Sequence, residues 1–320
     1  MRVRKTPDMS TPRRGLAIGC GGTLGFAWTA VQLAVIEEAL GWDVRTAEVL
    51  IGTSAGSELV GALGSGRTPA DLLAALDGSS DADPVLSSHL GRHPGAVPPH
   101  PSLRPAGTGL IKAGLRRRQP YTALGGLLPT GRGDATWLRE YGDALADPNG
   151  WTQHPRTWIV ATDAGSGDRV AFGSEGAPQA GLGEAIAASW GIPGWFPPVG
   201  IGGRRYFDGG SVSSVSADLL IPLKLDEVVV VAPMTSHGGA PGRGLSRIER
   251  LLRSQMTRGL DREVEQLRAA GTRVIRVEPD LEDLEAMGPN FMDLRRREAT
   301  VTTARRTAQA TVAKALVEAS

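Results

Sequence analysis

The sequence predicts an α/β fold with a mostly parallel central sheet. Two strand-loop-helix units in succession, and later apolar strands separated by long helical patterns, carry that expectation. GLAIGC, residues 15–20, reads as a short buried strand that stops at glycines. FAWTAVQLAVIEEAL, residues 26–40, reads as a helix apolar on most sides, with Gly41 at its C-cap. A second strand from Val49 to Ile51 runs through Gly52 to Gly56 into a helix from about Ser57 to Leu63.

Residues 77–134 change in character, with Pro, Gly, Ser and His crowded together. RHPGAVPPHPSLRP is unsuited to regular structure and Asp77-Gly78 reads as a turn, so the stretch is expected to be an insertion or flap. Within it, TGLIKAGLRRRQPYTALGGLL mixes apolar residues with Lys112, Arg116, Arg117 and Arg118. That pattern permits one short amphipathic helix, and a solvated loop with a basic face fits it as well.

Strands return at TWIVAT (157–162) and RVAFG (169–173), with DAGSGD between them as a hairpin turn. The helix GLGEAIAAS is followed by the Pro/Gly-rich WGIPGWFPPVGIGGRRYFDGG, which receives no regular element. EVVVVAP (227–233) and TRVIRVEP (272–279) are buried strands flanking a long helix over 246–270. In that helix Ile248, Leu251, Leu252, Met256, Leu260, Val264 and Leu267 recur at spacings of three and four, which paints one face. A last helix from about Asp293 to Glu318 closes the chain, and there is no internal repeat.

Composition bounds the function. The 320 residues, 41% hydrophobic and 22% charged, suffice for a substantial core. A net charge of +1 argues against a dedicated nucleic-acid binder. The single cysteine, Cys20, excludes an intramolecular disulfide and a Cys-based metal cluster, and suits a reducing compartment. MRVRKTPDMSTPRRG is basic but is not followed by the apolar core of a signal peptide, and no run approaches the ~18 apolar residues of a membrane span. The expectation is a cytoplasmic protein with a disordered basic tail over 1–14 and one domain over 15–320.

Chemistry concentrates in VLIGTSAGSELVGALG, residues 49–64. With 43 glycines in the chain a Gly-x-Ser-x-Gly match is cheap, but this one sits between a β-branched run and a helix, the setting of a nucleophile elbow. Gly52 and Gly56 then have a reason, because a sharp turn leaves no room for side chains beside Ser54. A glycine turn that only lets a helix pack closely on the sheet explains the same residues. Cys20-Gly21-Gly22-Thr23-Leu24-Gly25 ends the first strand and offers unobstructed N–H groups for an oxyanion; parallel neighbours would bring both loops to one sheet edge.

A serine needs a base. His89, His93 and His100 fall in the insertion, His154 precedes a strand, and His237 lies in the polar loop TSHGGAPGRG; His237 alone suits a Ser-Asp-His order, and it reads better as a solvent-exposed loop residue. Asp208 in YFDGG follows aromatic residues, where partial desolvation would make it more basic, although Asp-Gly is also a plain turn dipeptide.

Together these blocks resemble the patatin-like phospholipase family. The match rests on the Gly-rich loop at 19–25, GTSAG at 52–56, DGG at 208–210, and AIAASWGIPGWFPPVGIGGRRYFDGG leading into the aspartate. It covers roughly 14–76 and 155–235. The resemblance implies a three-layer α/β/α sandwich and a lipid acyl hydrolase that needs no metal or other cofactor. It makes Ser54 the nucleophile, Asp208 the general base, and the amides of Gly21, Gly22 and Thr23 the oxyanion hole. Two departures stand out: Cys20 replaces the family's first Gly of this loop, and Leu24 its basic residue. The segment SVSSVSADLLIP also lacks the proline-rich pattern common in relatives.

Trp190, Trp195 and Phe196 are candidates for an acyl pocket and equally for core. The expected partners are a lipid or acyl-ester substrate and anionic membrane surfaces. An esterase or thioesterase on small soluble substrates, and a catalytically silent lipid-binding module, are the alternatives. A dinucleotide site is disfavoured: counted from Gly19, the sixth residue of the fingerprint is Leu24 rather than Gly.

Overall fold

The computed structural model describes residues 12–92, 95–99, 108–117, 120–237, 239 and 246–319. The tail to residue 11, His93, His100, Arg118 and the side chains of Arg117 and Ile248 lie outside the described residues. The chain forms β1 (Arg14–Ile18), β2 (Val49–Thr53), β3 (Thr157–Asp163), β4 (Arg169–Phe172), β5 (Val199–Ile201), β6 (Arg204–Asp208), β7 (Glu227–Val231) and β8 (Arg273–Val277). Among the described residues eleven α-helices accompany them: α1 (Gly22–Leu40), α2 (Ala55–Gly64), α3 (Pro69–Leu76), α4 (Pro84–Leu90), α5 (Thr108–Arg117), α6 (Pro120–Leu127), α7 (Thr136–Leu145), α8 (Leu182–Ser189), α9 (Ser246–Ala269), α10 (Leu281–Met287) and α11 (Arg297–Glu318).

All eight strands join one sheet in the order β5-β6-β3-β2-β1-β7-β8, with β4 also paired to β3. The run β3-β2-β1-β7-β8 is parallel. Strands β4 and β6 run antiparallel to β3. Every residue of β2 and β7 is buried, as expected of strands covered on both faces. Alternate strand residues divide between two cores. Leu16, Ile18, Leu50, Val229 and Val231 pack with α1, α2, α8 and α11, whereas Ala17, Val49, Ile51, Val228 and Val230 pack with Leu260, Val264 and Leu267 of α9. The result is the three-layer α/β/α arrangement. Among the described residues no helix is long and apolar enough to cross a membrane.

The structure differs from the sequence reading in instructive places. Helix α1 starts at Gly22, because the Gly-rich loop is itself the helix's first turn. The 77–134 region carries more order than expected: α5 and α6 are two helices, packed so closely that a Cβ on Gly114 would clash with Ala123. Helices α3 and α4 open on Thr68-Pro and Asp83-Pro, whose side chains cap the first turn, a readable signal in both cases. The largest miss is the β5–β6 hairpin. Its two-residue loop, Gly202-Gly203, has φ of 55° and 77°, the positive pair a tight hairpin needs, hidden inside a Pro/Gly-rich stretch.

That hairpin sets the site. Strand β2 pairs with β3 up to Thr53↔Val160, and the next residue of β3, Ala161, pairs with Asp208 of β6. Val160 and Ala161 also pair with Ala171 and Val170 of β4, so β4 occupies the other edge. The ends of β2 and β6 therefore meet on one edge of β3.

The tightness of this junction is testable. A Cβ on Gly56 would run into the carbonyl oxygen of Ile18, whereas one on Gly259 in α9 would meet nothing within 4 Å. In urea titrations Gly56→Ala is expected to lose about 2–3 kcal/mol. Gly259→Ala is expected to gain about 0.5–1 kcal/mol.

Candidate active site

Ser54 sits between β2 and α2 with φ 55° and ψ −122°, a region that L-residues seldom occupy and that costs about 1–3 kcal/mol. The turn is over-determined by its surroundings. Its N–H donates to Ser189 Oγ at 2.8 Å, and the Ser189 hydroxyl donates to the Val160 carbonyl at 2.6 Å. Ser189 thus ties the strained turn to β3. A Cβ on Gly52 would strike the carbonyl of Gly56, so the elbow closes only with glycine at these positions. The sequence reading missed Ser189, although it lies in the AIAASW block that the resemblance used.

Asp208 ends β6. Its N–H donates to Gly191 O at 3.0 Å, and Thr162 Oγ1 donates to its carbonyl at 3.3 Å. Its carboxylate accepts the Gly210 N–H at 2.6 Å, and the Ser54 hydroxyl stands close enough to favour its ionised form. Burial pushes the carboxyl up to about 7, against the opposing pull of those two groups. The two side chains predicted to cooperate, 154 positions apart in sequence, lie side by side in the lining of one cavity.

The Gly-rich loop lies against them. Cys20 N–H donates to Ser214 O, Leu24 N–H to Phe291 O and Gly25 N–H to Gly21 O. The N–H groups of Gly21, Gly22 and Thr23 have no such partner among the described residues, and Gly22 has φ +57° with Phe291 2.5 Å from where a Cβ would stand. Two helices, α1 and α2, direct N-termini to this loop and to Ser54, adding positive potential where an oxyanion would form.

Ser54, Asp208, Cys20, Gly21 and Gly22 line a cavity of about 160 Å³. Its apolar wall comes from Leu128, Ile192, Pro193, Met234, Leu252, Met256 and Phe291, with Gly125 of α6 at its edge. Trp190, Trp195 and Phe196, the expected acyl-pocket residues, do not line it. Trp190 and Phe196 are fully buried in the main core, where Trp190 meets Trp137 edge-on at 5.7 Å, and Trp195 packs against the same core. The chain reverses between them, so Ile192 and Pro193 face the cavity instead. Local sequence leaves the direction of these aromatics open.

None of the described histidines lines this cavity. His89 stacks on Tyr141 at 3.7 Å and lies 3.4 Å from buried Glu58; His154 contacts Ala47 O at 2.7 Å; exposed His237 lies 3.6 Å from Asp261. Among the described residues no three His, Cys, Asp or Glu form a group suited to a metal ion.

Two buried networks support the loops. Arg253 of α9 donates to Pro233 O at 2.7 Å and Thr235 O at 3.2 Å and pairs with Glu249. Pro233 in turn packs on Gly21, where its Cγ lies 2.7 Å from a built Cβ. The serine-rich segment after Asp208, unexplained by sequence, is held by Glu263. The Ser213 hydroxyl donates to Glu263, whose Oε2 accepts the Ala217 N–H at 2.9 Å, while Ser213 Oγ accepts the Ser216 N–H at 2.8 Å. Hydrogen bonds thus rigidify the stretch.

The Asp208 environment has a consequence for stability. With the folded carboxyl near 7 and the unfolded one near its ordinary 3.8, the unfolded chain ionises first as pH rises, so this group costs the native state stability between about pH 4 and 7. Asp208→Asn is expected to melt higher than the wild type at pH 8, with a smaller difference at pH 5, in calorimetric scans.

No curated protein matches the chain. A crystal structure of VipD from Legionella pneumophila is similar at 13% identity, covering 95% of this chain and 67% of that one with a TM-score of 0.43. The patatin-like phospholipase profile matches residues 16–221, which contain the Gly-rich loop, the Ser54 turn and Asp208. Matched over more than half its length, the chain belongs to the patatin-like phospholipase family, a family of lipid acyl hydrolases.

Proposed function

We propose that this protein is a serine acyl hydrolase that cleaves carboxylic ester bonds of lipids in the manner of a phospholipase A, with residues 15–320 as its catalytic unit. The observation that carries the reading is the meeting of Ser54 and the buried Asp208 carboxylate in one apolar cavity, beside backbone amides that have no partner among the described residues. Ser54 Oγ attacks the ester carbonyl while its proton passes to Asp208. The N–H groups of Gly21, Gly22 and Thr23 receive the oxyanion. Collapse of the tetrahedral intermediate expels the alcohol, which takes the proton from Asp208 and leaves an acyl group on Ser54. Water, deprotonated by Asp208, then attacks the acyl-enzyme; collapse releases the acid and returns the proton to Ser54.

A carboxyl at about 7 suits both halves of this cycle, since it accepts and returns a proton near neutral pH. Among the described residues the cavity lining contains no Lys, Arg or His. Leu24, which stands where the family carries a cation, is fully buried in the core. Inside the cavity an anionic head group therefore finds no ion pair, and recognition falls to the acyl chain along Met234, Leu252, Met256 and Phe291. The same neutrality favours, as a second reading, an esterase acting on small soluble acyl esters.

Fluorophosphonate labelling and turnover of a fluorescent phospholipid and a p-nitrophenyl ester test the assignment. Ser54→Ala is expected to lose labelling and at least about 10³-fold of turnover, and Asp208→Asn to lose turnover comparably. Folded wild type that neither labels nor turns over either substrate would leave the silent binding module as the reading. In the wild type kcat/KM is expected to rise with pH and level off above about 7, because the base works as the carboxylate.

Ser189→Ala, which frees the Ser54 N–H, is expected to lower kcat about 10–100-fold with KM little changed. Arg253→Met is expected to act in the same direction through Pro233 and Gly21. In both variants the melting temperature is the control for folding.

A further inference from the structure

The helices that wall the cavity present an apolar and basic surface that the catalytic reading does not use. Among the described residues eight large hydrophobic side chains are exposed, and five of them are Leu115, Leu124, Leu127, Leu128 and Leu251. They lie on α5, on α6 and just after it, and on α9, of which α6 and α9 supply cavity residues. Leu124, Leu127 and Leu128, at i, i+3 and i+4, share one face and are 61%, 62% and 46% exposed. Leu128 also lines the cavity, so one leucine of this exposed face borders the cavity that holds Ser54.

Charge is segregated to the same segment. Between Asp83 and Asp134 the chain has no acidic residue and seven Lys or Arg, although its overall net charge is +1. The remainder of the molecule is therefore net acidic. Lys112 and Arg116 stand exposed on α5 near Leu115, Arg116 in an exposed ion pair with Asp168 at 2.6 Å. Exposed leucines beside cations, in a segment whose own sequence carries no carboxylate, are the chemistry of a surface that inserts shallowly between lipid head groups while its cations meet anionic ones.

We propose that α5, α6 and the exposed turn of α9 dock this protein on the surface of a bilayer containing anionic lipids, with the mouth of the Ser54 cavity facing the membrane. The inference rests on the lipid-ester reading for its purpose, because an acyl chain leaving a bilayer can then pass to the cavity beside Leu128. It explains the neutral lining as well: the cations that attract the anionic interface stand outside the cavity, where they orient the enzyme without gripping the scissile ester. Neither face of the argument depends on a particular head group.

The test is co-sedimentation of the full chain with phosphatidylcholine vesicles, with and without 30 mole per cent phosphatidylglycerol (about 0.3 of the lipid, enough to give a substantial negative surface potential). Wild type and Ser54→Ala are both expected to pellet with the anionic vesicles, and less at high salt. Leu124→Glu/Leu127→Glu is expected to lose binding about tenfold and phospholipid turnover on those vesicles, while turnover of a soluble p-nitrophenyl ester and the melting temperature stay unchanged. Double-variant binding equal to the wild type would overturn the proposal. So would absence of wild-type binding, including the case in which gel filtration shows a wild-type dimer that the double variant abolishes, since a second copy would then cover the leucine face. Vesicle binding by a wild type that hydrolyses no ester would uphold the docking surface while the catalytic reading failed.

Discussion

The site depends on the edge of one strand. Along β3, Val160 pairs with Thr53 and Ala161 with Asp208, so two chain segments from opposite halves of the sequence end on adjacent residues of the same edge. A slip of one residue in either pairing would turn the following side chain to the other face of the sheet and part Ser54 from Asp208. The register is held on both sides. Strand β4 occupies the far edge of β3, and the buried alternation of Val160 and Ala161 into different cores penalises any shift. Ser189 adds a direct link, accepting from Ser54 and donating to Val160, so the strained turn is referenced to the strand that places its partner.

Electrostatics follows from that placement. Asp208 is buried deeply enough to raise its carboxyl to about 7, with the Gly210 N–H and the Ser54 hydroxyl opposing the effect of burial, so its ionised form is costly at neutral pH. The neighbouring buried acid Glu263, also raised to about 7, is spread over bonds to Ser213 and Ala217 and an ion pair with Arg169, and serves to hold the loop after Asp208. Arg253 likewise spends its donors on Glu249 and the β7 loop rather than on the cavity. Buried charge therefore surrounds the cavity as support, and the cavity itself keeps a single titrating carboxylate beside a serine.

The 77–134 region connects this interior to the outside. Its Pro and Gly content hides α5 and α6, because the prolines fall before α5, at the first residue of α6 and after α6, while Gly109, Gly114, Gly125 and Gly126 are carried inside the two helices. Leu110 of α5 packs with Phe207 and Val212 on either side of Asp208, which makes the insertion part of the wall rather than an appendage. The same helices that complete the cavity also expose the leucine face that borders it.

By itself the sequence determined the parallel α/β core, the tight turn at Ser54 and the candidate carboxylate that the fold brings to the same cavity. Those features rest on local patterns: uniformly apolar strands, a glycine-fenced serine between strand and helix, and an Asp-Gly-Gly after aromatic residues. Ser189 was legible only as part of a block, since a serine at a helix end carries no mark of the N–H it will meet from 135 residues away. Trp190, Trp195 and Phe196 had the right chemistry for an acyl pocket, but which way a side chain points in a Pro/Gly-rich turn depends on the β5–β6 hairpin that follows. The cavity wall came instead from residues spread over α6, α9 and the loop at Phe291, whose sequences hold no common motif. Backbone pattern is local and survives in the sequence; a cavity is the space left between distant elements, and only their packing decides which side chains border it.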